Sequence, residues 1–203
     1  MELLKYWNRS YSGTDKKPIY DYWLDKYKDE LDNCNKPLID LGCGIGNNTL
    51  YLLERDYEVI SCDFSEVALS RLKSFLPNAE TLQFDMREGI PFEDNKIKIV
   101  IADLSLHYFD EQATFKILED LNRVLEKDGL LICRLNSIKN LEGQTTYYLN
   151  SGGLLRRYFD ESQISYFFNN SKWDILNKSE YIMDRYSTDK VVWEISMKKK
   201  YIT

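Results

Sequence analysis

Residues 38–47 of the chain read LIDLGCGIGN, a short apolar strand that runs directly into a turn carrying three glycines. Gly42, Gly44 and Gly46 are spaced by two residues, and the apolar pattern of residues 49–54 after them predicts a helix. Glycine adopts backbone dihedrals that other residues avoid and lets a ligand approach the main chain closely. We therefore expect a ligand over these glycines, at the carboxyl end of the first strand, where open α/β sheets bind their ligands.

Strand-like and helix-like segments alternate on the carboxyl side of this loop. Ser65 stands directly before one of the helices, as an N-cap residue does. Alternation at this spacing predicts βαβ units, and therefore an α/β fold of the doubly wound, Rossmann-like type, a three-layer sandwich with helices on both faces of the sheet. The predicted strands are residues 57–62, 79–84, 97–102 and 130–135, and the predicted helices are residues 65–75 and 112–126.

The segments outside this core have a different character. Residues 1–17 are polar and aromatic without clear periodicity, and Pro18 then opens a segment with the periodicity of an amphipathic helix, up to residue 31. The second strand of a C-terminal hairpin alternates apolar and polar residues, which predicts one exposed face. The C-terminal third is interpreted as a long loop, a short helix and this hairpin: residues 136–159, 160–168, and 173–183 with 190–198.

The composition argues against several classes of function. The chain carries 27 basic and 33 acidic side chains, a net charge of −6, which disfavours tight binding to nucleic acid. One histidine and four cysteines, without a Cys-x-x-Cys pair, predict no metal site. The N-terminus lacks the layout of a signal peptide and no apolar run is long enough to span a bilayer, so we expect a cytoplasmic protein with no membrane partner.

Three consecutive predicted strands end in an aspartate: Asp40, Asp63 and Asp85. Any one of them alone could be a turn or cap residue, but three at the sheet edge that carries the glycines favour a ligand. A carboxylate at Asp40 repels a pyrophosphate and suits an ammonium or sulfonium group. Asn47 also stands where the dinucleotide motif Gly-x-Gly-x-x-Gly needs its third glycine. The pattern therefore predicts a ligand with a cationic group, a ribose diol and an exocyclic amine.

With these motifs, residues 36–135 resemble the class I S-adenosylmethionine-dependent methyltransferases. The specific part is Asp40-x-Gly42-x-Gly44-x-Gly46, supported by residues 63–65, 84–86 and 101–107. The resemblance implies a mostly parallel seven-stranded sheet with an antiparallel C-terminal strand, and S-adenosylmethionine as the cofactor. We expect one domain over residues 1–203, and its expected parts are a helical lid (1–35), a cofactor-binding core (36–135), an acceptor-side loop and helix (136–170) and a C-terminal hairpin (171–203).

The resemblance also implies individual roles for the cofactor-binding residues. Asp40 and the loop backbone would hold the methionine part, Asp63 the ribose hydroxyls and Asp85 the adenine amine. Phe64 would pack on the adenine, and the end of the fourth strand would lie under the reacting sulfur. The full predicted set is Asp40, Gly42, Cys43, Gly44, Gly46, Asn47, Asp63, Phe64, Ser65, Asp85, Met86, Asp103 and Leu104.

Two residues are candidates for a direct part in catalysis. His107 follows the fourth strand and could take a proton from the acceptor, or it could be a structural histidine that caps the loop. Asp103 could instead polarise the acceptor or the amino group of the cofactor. The acceptor itself is predicted to be a small molecule, and the chain to be a monomer or homodimer. Its pocket would come from segments outside the core, with these candidate residues: Tyr6, Trp7, Tyr11, Tyr147, Tyr148, Arg156, Arg157 and Tyr158.

Two alternatives stay open on sequence alone. An NAD-dependent oxidoreductase would use the same fold class, but it leaves Asp40 and Asn47 unexplained. A non-catalytic module that binds S-adenosylmethionine or another adenosyl ligand would carry the same binding residues as an enzyme, because binding and catalysis share them.

Overall fold

The computed structural model describes residues 2–13, 17–141, 154–168 and 172–200, together with the backbone of residues 147–149. A 3-10 helix at Tyr22–Tyr27 precedes α2, and a second one follows β5 at Ile138–Asn140. The α-helices are α1 (Glu2–Ser12), α2 (Lys28–Asp32), α3 (Asn47–Leu53), α4 (Glu66–Phe75), α5 (Glu111–Val124) and α6 (Glu161–Phe168). The strands are β1 (Leu38–Leu41), β2 (Val59–Asp63), β3 (Glu80–Gln83), β4 (Ile97–Asp103), β5 (Leu125–Asn136), β6 (Tyr147–Leu149), β7 (Leu155–Arg157), β8 (Trp173–Ile182) and β9 (Val191–Lys199).

Seven of these strands form one sheet in the order β3-β2-β1-β4-β5-β9-β8. The first five run parallel to one another, and β9 pairs antiparallel with both β5 and β8. The chain order reverses between β1 and β4, where Asp40 lies opposite Ile101. In doubly wound sheets the crevice outside the carboxyl ends of the strands at such a switch point is where ligands bind. The predicted fold is confirmed, including the antiparallel C-terminal strand.

Side chains of successive strand residues point to opposite faces of the sheet, and both faces are buried. In β4, Val100 and Ala102 join the apolar cluster that contains α5 and α6, whereas Ile99 and Ile101 join the cluster that contains α3 and residues 22–32. This is the three-layer arrangement expected of a largely parallel sheet, whose strands are apolar throughout because helices cover both faces. The helices cover the two faces of the sheet, and its carboxyl edge stays open for the site.

Residues 2–12, which lie within the expected helical lid, form α1, and Leu3, Trp7 and Tyr11 recur every four residues on one face of this helix.

The structure corrects four expectations. The segment after Pro18 is largely a 3-10 helix, and β5 already begins at residue 125. The region predicted as a long loop contains β6 and β7, which pair with each other.

No helix in the described part of the chain is both long and apolar enough to cross a membrane.

The fourth correction concerns β9, which is not half exposed. Residues 192–197 of this strand are all buried, so both of its faces are covered. Glu194 is fully buried on the face predicted to be exposed, where it accepts hydrogen bonds from Lys26, Tyr27 and Tyr181. Alternation of polar and apolar residues predicts a solvent face only when the polar side chains have no partners inside the protein.

Candidate functional site

The three loop glycines all have left-handed backbone conformations, with φ of 73° at Gly42, 56° at Gly44 and 94° at Gly46. A Cβ on Gly42 would lie 2.4 Å from Cβ of Ser105, and a Cβ on Gly44 would lie 2.8 Å from the hydroxyl of Tyr11. Glycine suits both positions, because L side chains rarely adopt this φ and because neighbouring atoms already occupy the space that a Cβ would need. The turn is therefore a bare-backbone cradle between β1 and the start of α3.

Asp63, at the end of β2, holds the loop in this shape. One of its carboxylate oxygens accepts a hydrogen bond from the Gly44 amide (3.0 Å) and the other from the Ser65 amide (2.9 Å). Ser65 caps α4 by accepting from the Ala68 amide, which confirms its predicted N-cap position. Its hydroxyl donates to the side chain of Asn8 (2.6 Å), so Ser65 also anchors α1. Two lone-pair positions on Asp63 remain for a ligand.

Two openings meet at the carboxyl edge of the sheet. A narrow cleft is lined by Asp63, Phe64, Asp85 and Met86, and a cavity of about 620 Å³ lies beside it. The cavity is lined by further residues predicted from the sequence, namely Cys43, Gly44, Asn47 and Asp103. Residues common to both openings make them one continuous surface: Trp7, Tyr11, Gly42, Leu104 and Tyr108.

Helix α1 forms the roof over this surface. Trp7 stacks on Tyr11 with ring centroids 5.5 Å apart, and it meets Tyr108 edge-on at 5.0 Å. Burial, followed by the nearby charge of Asp63, raises the pKa of the Tyr11 hydroxyl well above its usual value. Tyr6 lines a neighbouring surface groove on the other side of Tyr108. The helix therefore covers the cleft with aromatic side chains.

Asp85 already has a partner within the protein. Arg87 donates to both of its carboxylate oxygens, and although burial opposes ionisation, this guanidinium holds the pKa of Asp85 below its usual value. The carboxylate still lines the cleft, so it can accept a further hydrogen bond from a ligand at its exposed edge. Arg87 was not singled out in the sequence, although its position two residues after the third strand-end aspartate places it at this edge.

Asp40 lies beneath the loop and is 1% exposed. Thr49 donates to one of its oxygens (2.8 Å), whereas its other oxygen is buried and has no hydrogen-bond partner among the described residues. Burial raises the pKa of Asp40 to about 6, partly offset by the hydrogen bond from Thr49. From beneath the glycine cradle this carboxylate, in its ionised form, favours a cationic ligand group through its charge rather than through direct contact. Asp40 borders neither opening directly, and the same holds for Gly46 and Ser65.

We expect Asp40→Asn to stabilise the ligand-free protein while weakening its ligand affinity. An aspartate whose pKa is raised in the folded state costs stability as the pH rises above its ordinary pKa, because the unfolded chain ionises more easily. Asparagine still accepts from Thr49 and removes this cost, a gain of about 3 kcal/mol at about pH 8 that disappears near about pH 4. Urea denaturation at the two pH values measures this gain in the free energy of unfolding, and Asp29→Asn, at an exposed position, is the control. Equal gains at both pH values would contradict a pKa effect.

A buried square of charges lies next to the loop, at the end of β4. Asp103 accepts from Arg134 (2.7 Å) and Arg185 (2.6 Å), and both arginines also donate to Asp21. Although burial opposes ionisation, the two guanidinium groups hold the pKa of Asp103 well below its usual value. Arg185 also donates to Asn48 of α3 (3.1 Å). Asp103 is therefore an anion whose charge is already shared between two guanidinium groups. This arrangement suits it to orient neighbouring groups rather than to accept a proton.

Arg134, Arg185 and Asp21 were not among the predicted site residues. Arg134 is a charged residue inside the apolar run of β5, and that anomaly is the signal that could have found it. Arg185 stands in the turn between β8 and β9, and no pattern in the sequence marks it. Asp21 reaches the square only because the segment before the 3-10 helix packs against the end of β5.

His107 is fully buried and does not line either opening. Its ring lies 4.3 Å from that of Tyr108, and neither ring nitrogen has a hydrogen-bond partner in the part of the chain that the structure describes. Burial, followed by the charges of Lys190 and Arg156, lowers its pKa well below the usual value, so the imidazole is neutral. The role of His107 in proton transfer stays a prediction, and this geometry favours the structural alternative.

The acceptor-side residues are only partly described. The side chains of Tyr147 and Tyr148 lie outside the described part of the chain. Arg157 is buried with its guanidinium over the ring of Phe167 (4.2 Å), whereas Arg156 lies over the ring of Tyr108 (5.5 Å). Lys190 also lines the cavity, and burial lowers its pKa to about 8. It was not predicted from the sequence, because its position depends on the turn between β8 and β9.

Comparison with known proteins agrees with this geometry. Residues 38–129 match the family model described as a methyltransferase domain. Among curated proteins, the tRNA N(3)-methylcytidine methyltransferase of Drosophila melanogaster is 26% identical, over 79% of this chain and 58% of that protein. The trans-aconitate 2-methyltransferase of Azoarcus sp. is 31% identical over 48% of this chain and 38% of that protein. The chain thus spans about half the length of the curated relatives it matches.

A solved structure shares the fold over nearly the whole chain. It is the 1,6-didemethyltoxoflavin-N1-methyltransferase of Burkholderia thailandensis, crystallised with 1,6-didemethyltoxoflavin and S-adenosylhomocysteine. The TM-score is 0.74 at 16% identity, covering 98% of this chain and 88% of that one. The glycine cradle, the strand-end aspartates and the sheet order agree with this match, and residues 38–129 form a domain of the methyltransferase family whose model they fit. The cofactor of this family is S-adenosylmethionine.

Proposed function

We propose that the chain transfers the methyl group of S-adenosylmethionine to a small-molecule acceptor. The observation that carries this proposal is the continuity of the cleft with the cavity across Gly42 and Leu104. Small-molecule sites typically have volumes of roughly 300–1,000 Å³, and the cavity of about 620 Å³ lies in that range. The cleft offers a place for the adenosine part, and the cavity offers one for the methionine part and the acceptor.

The residues present fit this cofactor. Gly42 and Gly44 leave no room for a Cβ, so the loop presents bare backbone to the openings that these glycines line, and the carboxylate of Asp40 beneath the loop favours a cationic group above it through its charge. We propose that Asp63 accepts hydrogen bonds from the ribose hydroxyls and that Asp85 accepts one from the adenine amine. By the same proposal Phe64 and Met86 line the adenine end, the Cys43 and Asn47 positions of the loop face the methionine part, and Leu104 lies under the reacting sulfur.

When bound, S-adenosylmethionine supplies a methyl carbon that its sulfonium already activates. The remaining task of the chain is to hold the two reactants in line and to keep water out. Gly42 and Leu104, which line both openings, would hold the methyl donor where the cleft meets the cavity. Asp103, fixed by Arg134 and Arg185, positions the methionine end of the site. Trp7 and Tyr11 exclude water from above.

The relatives differ in their acceptors. The name of the Drosophila protein gives a tRNA nucleoside, whereas that of the Azoarcus protein gives a small organic acid. The net charge of −6 opposes a polyanionic acceptor, because binding to nucleic acid depends on neutralising phosphates with basic side chains. The roofed cavity and the charge together support a small acceptor for this chain.

Calorimetry followed by a transfer assay tests the proposal. The protein should bind S-adenosylmethionine and S-adenosylhomocysteine and should not bind NAD. With methyl-labelled cofactor, label should pass to compounds in a small-molecule metabolite extract and not to total tRNA. Binding of NAD alone would favour the oxidoreductase. Cofactor binding without any transfer would favour the non-catalytic module. Label found on tRNA would mean that the acceptor is a nucleic acid and not a small molecule.

A further inference from the structure

Resting on this proposed function, we propose that the acceptor is a small anion, in chemical class a carboxylic acid, whose negative charge is bound by Lys190 in the cavity next to Leu104. The proposal starts from the balance of charges around the cavity. Its described lining includes three cationic side chains, Lys17, Arg185 and Lys190, against one carboxylate, Asp103. This excess is opposite in sign to the net charge of the whole chain, which is −6.

The carboxylate in that lining does not neutralise Lys190. Asp103 is shared between Arg134 and Arg185, and each guanidinium lies within 3 Å of one of its oxygens. Among the described residues Lys190 forms no ion pair, and its ammonium nitrogen lies 5.8 Å from the centre of the Tyr186 ring. Lys190 is only partly exposed, so its charge is not fully compensated by water. A cation in this position attracts an anionic ligand.

A second layer of positive charge lies behind Lys190. The charges of Lys190 and Arg156 both act on the buried ring of His107, whose two nitrogens have no partner among the described residues. Arg156 lies over the ring of Tyr108, which lines the cavity itself. The positive field therefore extends from the mouth of the cavity at Lys17 to its wall at Tyr108, and no described carboxylate of the lining besides Asp103 interrupts it.

The cofactor increases this excess. S-adenosylmethionine carries a sulfonium, an ammonium and a carboxylate, so its binding brings one further net positive charge to the site. An anionic acceptor offsets that charge at low dielectric, where the attraction is stronger than in water. The aromatic walls formed by Trp7, Tyr11, Tyr108 and Tyr186 add contact area for a flat carbon skeleton. A small, flat carboxylic acid matches both the charge and the walls.

The test divides a small-molecule extract by anion exchange and follows methyl transfer from labelled cofactor into each fraction. We expect label in the retained, anionic fraction. Lys190→Met should lower that transfer about ten-fold or more, since a hydrogen bond to a charged group is lost. Lys190→Arg should restore most of it, and the affinity for S-adenosylhomocysteine should stay unchanged in both variants. Lys73→Met, an exposed lysine on α4, is the matched control.

Each other outcome has a definite meaning. Label only in the unretained fraction, or full transfer by Lys190→Met, would overturn the anionic acceptor while leaving the methyltransferase proposal intact. A loss of S-adenosylhomocysteine affinity in Lys190→Met would assign this lysine to the cofactor and would overturn the proposal as well. Failure of the wild-type chain to bind S-adenosylhomocysteine would instead refute the proposed function itself.

Discussion

Replacing Asp63 by alanine is expected to lower the affinity for S-adenosylmethionine by at least about 100-fold, because two or more hydrogen bonds to a charged acceptor are lost. The carboxylate ties the Gly44 amide to the Ser65 amide, so its loss also frees the Gly44 end of the loop, while Gly42 and Cys43 stay bonded to the Cys62 carbonyl of β2. The proposed contacts to the ribose hydroxyls disappear with it. Isothermal titration calorimetry with S-adenosylmethionine and S-adenosylhomocysteine measures the effect.

Two controls separate the binding role of Asp63 from its structural role. Asp63→Asn keeps one oxygen acceptor for the loop but weakens the ribose contact, so its affinity should lie between those of wild type and alanine variant. Glu80→Ala removes an exposed carboxylate from neighbouring β3 and should bind as wild type does. Thermal unfolding of the three variants without ligand shows how much of the loss is structural. Affinity within a few-fold of wild type in Asp63→Ala would contradict the ribose assignment.

Asp103→Asn is expected to produce the largest loss of stability, about 3–5 kcal/mol, because breaking a buried ion pair leaves a charge without its partner. Two guanidinium groups, those of Arg134 and Arg185, would then share only Asp21. Both arginines are nearly or fully buried, so water cannot replace the missing carboxylate. Urea denaturation measures the change in the free energy of unfolding. The comparison uses the same dependence of this free energy on urea concentration for the variant and the wild type.

A double variant tests the cause. In Asp103→Asn combined with Arg185→Met, the pair of Arg134 with Asp21 remains balanced, and the loss should be well below the sum of the single losses. Asp120→Asn, which breaks the ion pair with Arg123 on α5, combined with Asp103→Asn should instead give additive losses. Additive losses in the first double variant would mean that the charges of the square do not act as a unit.

Much of the site could be predicted from sequence because its determinants are local. Gly42 and Gly44 have positive φ and neighbours so close that a Cβ would not fit, and the same freedom of bare backbone is what marked them in the sequence. Asp63 and Asp85 reach the cleft because the ends of parallel strands meet at one edge of the sheet. The roles of these residues toward the cofactor remain predictions that the variants above can test.

The rest could not be predicted because it depends on pairs distant in sequence. Asp103 is 31 residues from Arg134 and 82 from Arg185. Its predicted part in polarising the reactants therefore followed from its position alone, because the sequence does not show its two arginine partners. Glu194 illustrates the same limit, since its partner Tyr27 is 167 residues away and turns an apparently exposed face of β9 into a buried one.

The glycine turn after β1 illustrates the division between sequence and tertiary structure. By itself the sequence determined the strand, the turn and the helix, because backbone freedom, capping and apolar periodicity act between neighbours along the chain. Only the tertiary structure decided that Tyr11 roofs the turn, that Asp40 is buried with a raised pKa, and that Lys190 faces the cavity. Burial and charge depend on which segments meet in space, and packing settles that rather than the order of residues.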